Sequence, residues 1–223
     1  MFALPVLLIV AVLVVLLPFL FGQLMFASLT KLHLDPAMAL VVVIAIFVGS
    51  LINVPIKSVV RDADVIEHPL AIYGLAGLWP QFRRARRKTI IAVNVGGCLI
   101  PGVLALYEGV YLAATSLPAL AAAAGGCVAN VTVCYLVARP IPGVGIAMPG
   151  VVSPLVAAIV ALLLAPEASP PVAFIVGVIG PLVGADLLHL RDIAASQIGV
   201  LSIGGAGTFD GIVLSGIVAA YLA

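Results

Sequence analysis

Charge is what this sequence most lacks. Only 9% of its 223 residues are Asp, Glu, Lys or Arg, and 64% are hydrophobic, whereas a soluble domain carries roughly 25% charged and 45–50% apolar residues. So few charges cannot cover a water-facing surface, and a mean hydropathy of +1.35 points to lipid as the solvent. Cysteine is also sparse. Cys98, Cys127 and Cys134 are odd in number and show no CxxC spacing, which argues against a disulfide framework and leaves them as small packing residues. There are three His residues and no HExxH, so a zinc metalloprotease of the site-two type lacks its motif. Without GxSxG, a rhomboid-like serine peptidase lacks its own. No Walker loop or dinucleotide fingerprint occurs, so any transport would run on gradients. No metal site and no cofactor is implied.

What is present is a series of long apolar runs, several near or above the ~18 residues that cross a bilayer. Seven spans are expected, with limits of six and eight: about Phe2–Ser28, Ala37–Asn53, Thr89–Ala114, Leu117–Val137, Val151–Ala165, Pro171–Leu190, and one within Ile198–Ala223. The first lacks a basic flank and exceeds the apolar core of a signal peptide, so a retained helix is expected. The fold class that follows is all-α, a polytopic transmembrane helix bundle forming one integral membrane domain over residues 1–223. Two segments of its C-terminal half are broken by glycine and proline: RPIPGVGIAMPG at 139–150 and GGAG at 204–207.

The few charges are ordered. Lys57, Arg61, Arg83, Arg84, Arg86, Arg87 and Lys88 fall in the second connection, Arg139 in the fourth and Arg191 in the sixth, leaving only Lys31 of the ten for the odd connections. Basic residues favour the cytoplasmic side, so the N-terminus is expected inside and the C-terminus outside. Residues 54–88 are then a basic cytoplasmic connection, with LAIYGLAGLWPQF as an interfacial helix. RRARRK reads as a topology anchor beside anionic headgroups. Lipids are the expected partners, with a membrane-protein or small-solute substrate, a homo-oligomer as a further expectation, and no nucleic acid.

Ionisable groups at membrane depth are costly and mark functional sites. Glu108, between Tyr107 and Tyr111, is expected to snorkel outward beside an aromatic belt. Asn53, Asn94 and Asn130 are placed for interhelical hydrogen bonds. Two acids stand apart, Asp186 in GPLVGADLLHLRD and Asp210 in GGAGTFDG. A helix starting just ahead of Asp210, after the glycine break, would stabilise the anion with its free N–H groups. It would also bring the acid to a depth similar to that of Asp186 on the neighbouring antiparallel helix. His189, three residues from Asp186, shares its helical face and is a proton-transfer candidate. The plainer assignment is that both acids lock helix packing and His189 caps a helix end.

IGGAGTFDGI, with GADLLHLRD and RPIPGVGIAMPG upstream, resembles a family of prokaryotic polytopic membrane proteins of unknown function, domain of unknown function 1614. The resemblance spans most of the C-terminal half and implies a multi-pass protein of the prokaryotic inner or plasma membrane. Chemically, Phe209-Asp210 is similar to the YD element, and Gly184-Ala185-Asp186 to the GxGD element, of presenilin-like intramembrane aspartyl proteases. Pro118-Ala119-Leu120 spells their PAL, in reversed order along the chain. Three functions follow as expectations. The first is intramembrane aspartyl-protease-like hydrolysis with Asp186 and Asp210 as a catalytic pair sharing a proton. The second is a secondary or ion-coupled carrier using Asp210, Asp186 and Asn94 at discontinuous helices, with Gly205, Gly207, Thr208 and His189 lining the substrate or ion site. The third is a non-catalytic scaffold. The charge pattern makes one prediction at once: a phosphatase that matures only outside the cell is active when fused after Ala223 and inactive when fused after Ala63. The reverse pattern refutes the orientation.

Overall fold

The computed structural model describes residues 3–63, 85–141, 145–190 and 199–223. Among them one α-helix falls in each of the seven apolar runs: α1 (Ala3–Leu29), α2 (Pro36–Gly49), α3 (Ile100–Thr115), α4 (Leu117–Val137), α5 (Val152–Leu164), α6 (Ser169–Ile179) and α7 (Gly211–Leu222). A wide π-type turn, Val95–Leu99, leads into α3, and another, Gly180–Leu187, continues α6. With these extensions, Val95–Thr115, Leu117–Val137 and Pro166–Leu190 are long and apolar enough to cross a membrane. By contrast α2, α5 and α7 have 14, 13 and 12 residues, about 18–21 Å at 1.5 Å per residue.

The apolar surface is inverted relative to a soluble protein. α6 sits in the middle, with every residue from Pro171 to Val178 buried, between α4, α5 and α7. The helices around it expose large hydrocarbon side chains, Val103, Leu106 and Val110 on α3 and Leu155, Ile159 and Leu163 on α5. Between apolar helices in lipid, close backbone packing replaces the hydrophobic effect as the adhesive, and small residues permit it. A Cβ on Gly177 would lie 2.8 Å from the Ser215 carbonyl on α7, and one on Gly184 would lie 2.4 Å from the Val131 carbonyl on α4.

The all-helical expectation does not hold in the connections. β1 (Asn53–Ala63) and β2 (Ala85–Asn94) form a long antiparallel pair, and β5 (Gly199–Ile203) adds to β2 in parallel, giving the order β1-β2-β5. Thr89–Asn94, assigned above to the third span, is therefore strand, as is the start of the seventh. β-Branched Val, Ile and Thr are frequent along TIIAVN and KSVVR, and such residues favour a pleated strand. A hairpin of β3 (Arg139–Ile141) and β4 (Gly145–Ala147) replaces the irregular segment expected there. The proposed interfacial helix, residues 70–82, lies outside the described residues.

Contacts sort the connections to two ends. At one end the sheet joins the second connection to the sixth, and Ile146 of the hairpin packs on Ile91 and Leu201. At the other, Lys31 Nζ donates to the Tyr221 carbonyl (2.7 Å), Ser169 Oγ to that of Ala223 (3.0 Å), and His33 binds Glu108. Glycine packing is tested by Gly177→Ala and Gly184→Ala. Each is expected to lose about 1–3 kcal/mol from overpacking in reversible unfolding from mixed micelles. Gly109→Ala, whose Cβ meets nothing within 4 Å, gains up to about 1 kcal/mol from helix propensity. Equal effects at all three would remove the packing explanation.

Candidate functional site

Three interruptions of regular structure converge at the sheet end. The first is the Val95–Leu99 turn between β2 and α3, the second the Gly180–Leu187 turn, and the third residues 204–210 between β5 and α7. Pro181 has no N–H to donate and Gly180 leaves no room for a Cβ, which would meet Asn130 Nδ2, so α6 widens there into the π geometry. The Val176 carbonyl accepts both the Gly180 N–H and Asn130 Nδ2 (2.9 Å).

The 204–210 loop depends on glycine at two positions. Gly204 and Gly207 take φ of +69° and +63°, the left-handed region that residues with a Cβ seldom adopt. Gly97 lies so near that a Cβ would stand 2.1 Å from the Gly204 carbonyl and 3.0 Å from that of Gly207. The backbones of the two turns are stacked directly on each other.

Both acids reach this loop. Asp210 is the N-cap of α7: its Oδ1 accepts the Ile212 N–H (3.0 Å) and its Oδ2 the Ala206 N–H (3.2 Å). The glycine break and the helix start at Asp210 are as the sequence implies. Asp186, from the wide turn after α6, accepts the Gly204 N–H at 3.4 Å through Oδ2. The two carboxylates thus bind the same loop, at Gly204 and at Ala206.

A neutral network completes the site. Asn94, fully buried, accepts the Gly97 N–H (2.7 Å) as N-cap of the first turn and donates to the Ser50 carbonyl (2.8 Å) and Asn53 Oδ1 (3.2 Å). Ser50 Oγ donates to the Ile46 carbonyl (2.6 Å), so the Thr208 hydroxyl, 2.7 Å away, donates to Ser50. Ser202 Oγ donates to Asn53 Oδ1 (2.5 Å). Asn94, Gly207, Thr208, Asp186 and Asp210 are therefore brought together. Gly205 is exposed on the same loop, its N–H bound to the Ser202 carbonyl.

His189 is oriented elsewhere. Its Nδ1–H serves the Gly184 and Ala185 carbonyls (3.2 and 3.0 Å), and its ring stacks on Tyr135. Pro118–Leu120 opens α4, thirteen residues from Val131, where Gly184 packs, or about 20 Å along the helix. The PAL element and the two acids do not form one site. Glu108 corrects its expectation too. It is fully buried rather than snorkelling, paired with His33 at the opposite end. Among the described residues, no three His, Cys, Asp or Glu lie close enough to hold a metal ion.

Sequence reasoning missed Ser50 and Ser202. Small polar residues inside apolar runs carry little signal, and only the proximity of Ser50 to Asn53 pointed there. It also missed Ser153 and Ser215, whose hydroxyls meet at 2.6 Å beside Asn130 in the bundle interior. The Ser50–Thr208 contact is open to a double-mutant cycle. Ser50→Ala and Thr208→Val each destabilise, and the pair couples by about 0.5–1.5 kcal/mol because both remove one hydrogen bond. Strict additivity would show the hydroxyls do not bind each other.

The model of a family described as "Protein of unknown function (DUF1614)" matches residues 47–222, from the last turn of α2 to the end of α7. Every side chain of the network just described lies within that match. No curated protein and no solved structure matches the chain. The chain belongs to the DUF1614 family.

Proposed function

We propose that this protein is a multi-pass carrier of the prokaryotic cell membrane, coupled to protons or another small cation, with Asp186 and Asp210 as its ion-binding acids. The observation that carries this is the convergence of three broken elements on one polar cluster. Irregular backbone at membrane depth is tolerated where protein covers it or a wet cavity is lined by it. Discontinuous helices with acids and amides at their breaks are how carriers hold solutes and coupling ions. The roles divide by hydrogen bonding. Asp210 has both oxygens engaged by N–H groups of its own loop and helix, which suits a fixed anion. Asp186 has one long bond, to Gly204, which leaves it free to exchange a cation. Asn94 and Thr208 position the loop between them, and Gly205 presents its open face.

The seven-span arrangement, N-terminus inside and C-terminus outside, belongs to this reading. Its support is the sorting of contacts: the second, fourth and sixth connections gather around the sheet, whereas Lys31, His33, Ser169 and the C-terminus gather at the other end. Seven crossings produce that alternation. The basic strands β1 and β2 then lie on the cytoplasmic side, beside anionic lipid. α2, α5 and α7 are short for a full crossing, and a second copy of the chain would bury their ends.

Proximity of two carboxylates favours one competing reading, the aspartyl-protease pair. It requires the acids to share a proton, and the engagement of both Asp210 oxygens by N–H groups weighs against that. Purified protein in vesicles loaded with a pH-sensitive dye separates the two. Wild type is expected to pass protons or radiolabelled sodium down an imposed gradient faster than empty vesicles, with Asp186→Asn lowering the rate about tenfold or more, the loss of roughly 1.4 kcal/mol of ion stabilisation. Cleavage of a helical membrane peptide, abolished by either Asp→Asn, would establish the protease instead. Unchanged behaviour of folded variants in both assays leaves the scaffold.

A further inference from the structure

At the end away from the sheet, the short connection between α1 and α2 is held by an unusual number of bonds to one residue. Glu108 of α3 is fully buried, and its two oxygens accept the backbone N–H of His33 (3.2 Å) and the ring Nδ1–H of the same residue (2.8 Å). The Tyr107 hydroxyl donates to the His33 carbonyl (3.0 Å), and the Tyr111 ring stacks on the imidazole with centroids 3.7 Å apart. Every polar group of the His33 backbone, one ring nitrogen and one ring face are thus read by a single helix, as a binding site reads a ligand. Two residues earlier, Lys31 donates to the Tyr221 carbonyl and lies over the Tyr221 ring, at the C-terminal end of α7, where a cation complements the helix dipole.

The connection therefore bridges α3 and α7. These are the two helices whose opposite ends carry Asn94 with the Gly96–Gly97 turn and Asp210 with the 204–207 loop. Glu108 is eleven residues along from Gly97, about 16 Å by helix rise. One pair of helices is fixed at one end by the ion-site turns and at the other by this strap.

We propose that residues 30–35 are an outer strap that must release from Tyr107, Glu108 and Tyr111 for the Asp186–Asp210 site to exchange with the outer side. The inference rests on the carrier reading for its purpose. Its mechanical content stands apart: with the strap fastened the site is closed from outside, and with it loosened the site opens. A fully buried carboxylate suits a latch, because its burial is tolerable only while its partners are in place. Beside the apolar packing of Leu32 and Leu34, these polar contacts hold the end, and polar contacts can exchange for water.

The test uses the full chain in oriented vesicles, with Cys98, Cys127 and Cys134 replaced by Ala and one reporter cysteine at Ala206, exposed on the 204–207 loop. A membrane-impermeant maleimide is added from the C-terminal side. The fastened protein is expected to label slowly. His33→Ala is expected to raise the labelling rate several-fold, and Tyr107→Phe and Lys31→Met, which each remove one strap bond and leave Glu108 paired, are expected to raise it by less. Rates unchanged in Tyr107→Phe and Lys31→Met, with the variants folded by thermal melt, overturn the strap. Because the readout is labelling, it is independent of whether any ion flux is found: flux without strap-dependent labelling rejects the strap alone, and strap-dependent labelling without flux rejects only the carrier.

Discussion

The contact on which the sheet end of this fold depends is the stacking of two glycine turns, with Gly97 against the Gly204 and Gly207 carbonyls. Backbone so close leaves no room for side chains, and it leaves main-chain N–H groups that regular structure does not serve. In a chain this apolar those groups cannot rely on water. They are served by three side chains from three elements: Asn94 for Gly97, Asp186 for Gly204, and Asp210 for Ala206 and Ile212. The charge in the run GGAGTFDGIVL thus has a structural role. The carboxylate replaces the solvent that a broken helix has lost.

The sheet positions this contact. Residues Thr89–Val93 and Gly199–Ile203 run parallel and in register, and each strand leads through glycines into a helix. Two strand–turn–helix units placed side by side bring their turns together, so the register of β2 with β5 also sets the register of the site. β1 extends the arrangement to α2 through the Asn53↔Asn94 pair, and Ser50 at the end of α2 is drawn in by Asn94 and Thr208.

Much of this was legible in the sequence, because the informative features were local. Each apolar run yielded a helix, since hydropathy needs no knowledge of neighbours. The glycine cluster broke the chain where it was expected to, and Asp210 capped the helix that followed. What escaped depended on distant partners. Glu108 is buried because His33, 75 residues away, pairs with it, and nothing near Glu108 announces that partner. β1 and the start of β2 were concealed by basic residues that read as a loop, and Thr89–Asn94 and β5 by apolar residues that read as membrane spans. His189 follows its helix spacing from Asp186 only on paper. The π turn shifts the face, and the ring is satisfied by the carbonyls of Gly184 and Ala185 instead.

The central claim is that Asp186 and Asp210, from different elements, hold one loop. Amide hydrogen exchange in lipid nanodiscs measures this directly. In the wild type the N–H groups of Gly204 and Ala206 should be protected. Asp186→Ala should release Gly204, Asp210→Ala should release Ala206 and Ile212, and each should raise exchange in the half of the loop bound by the other. Faster exchange confined to the helix each acid belongs to, with residues 204–207 unchanged, would contradict the shared site.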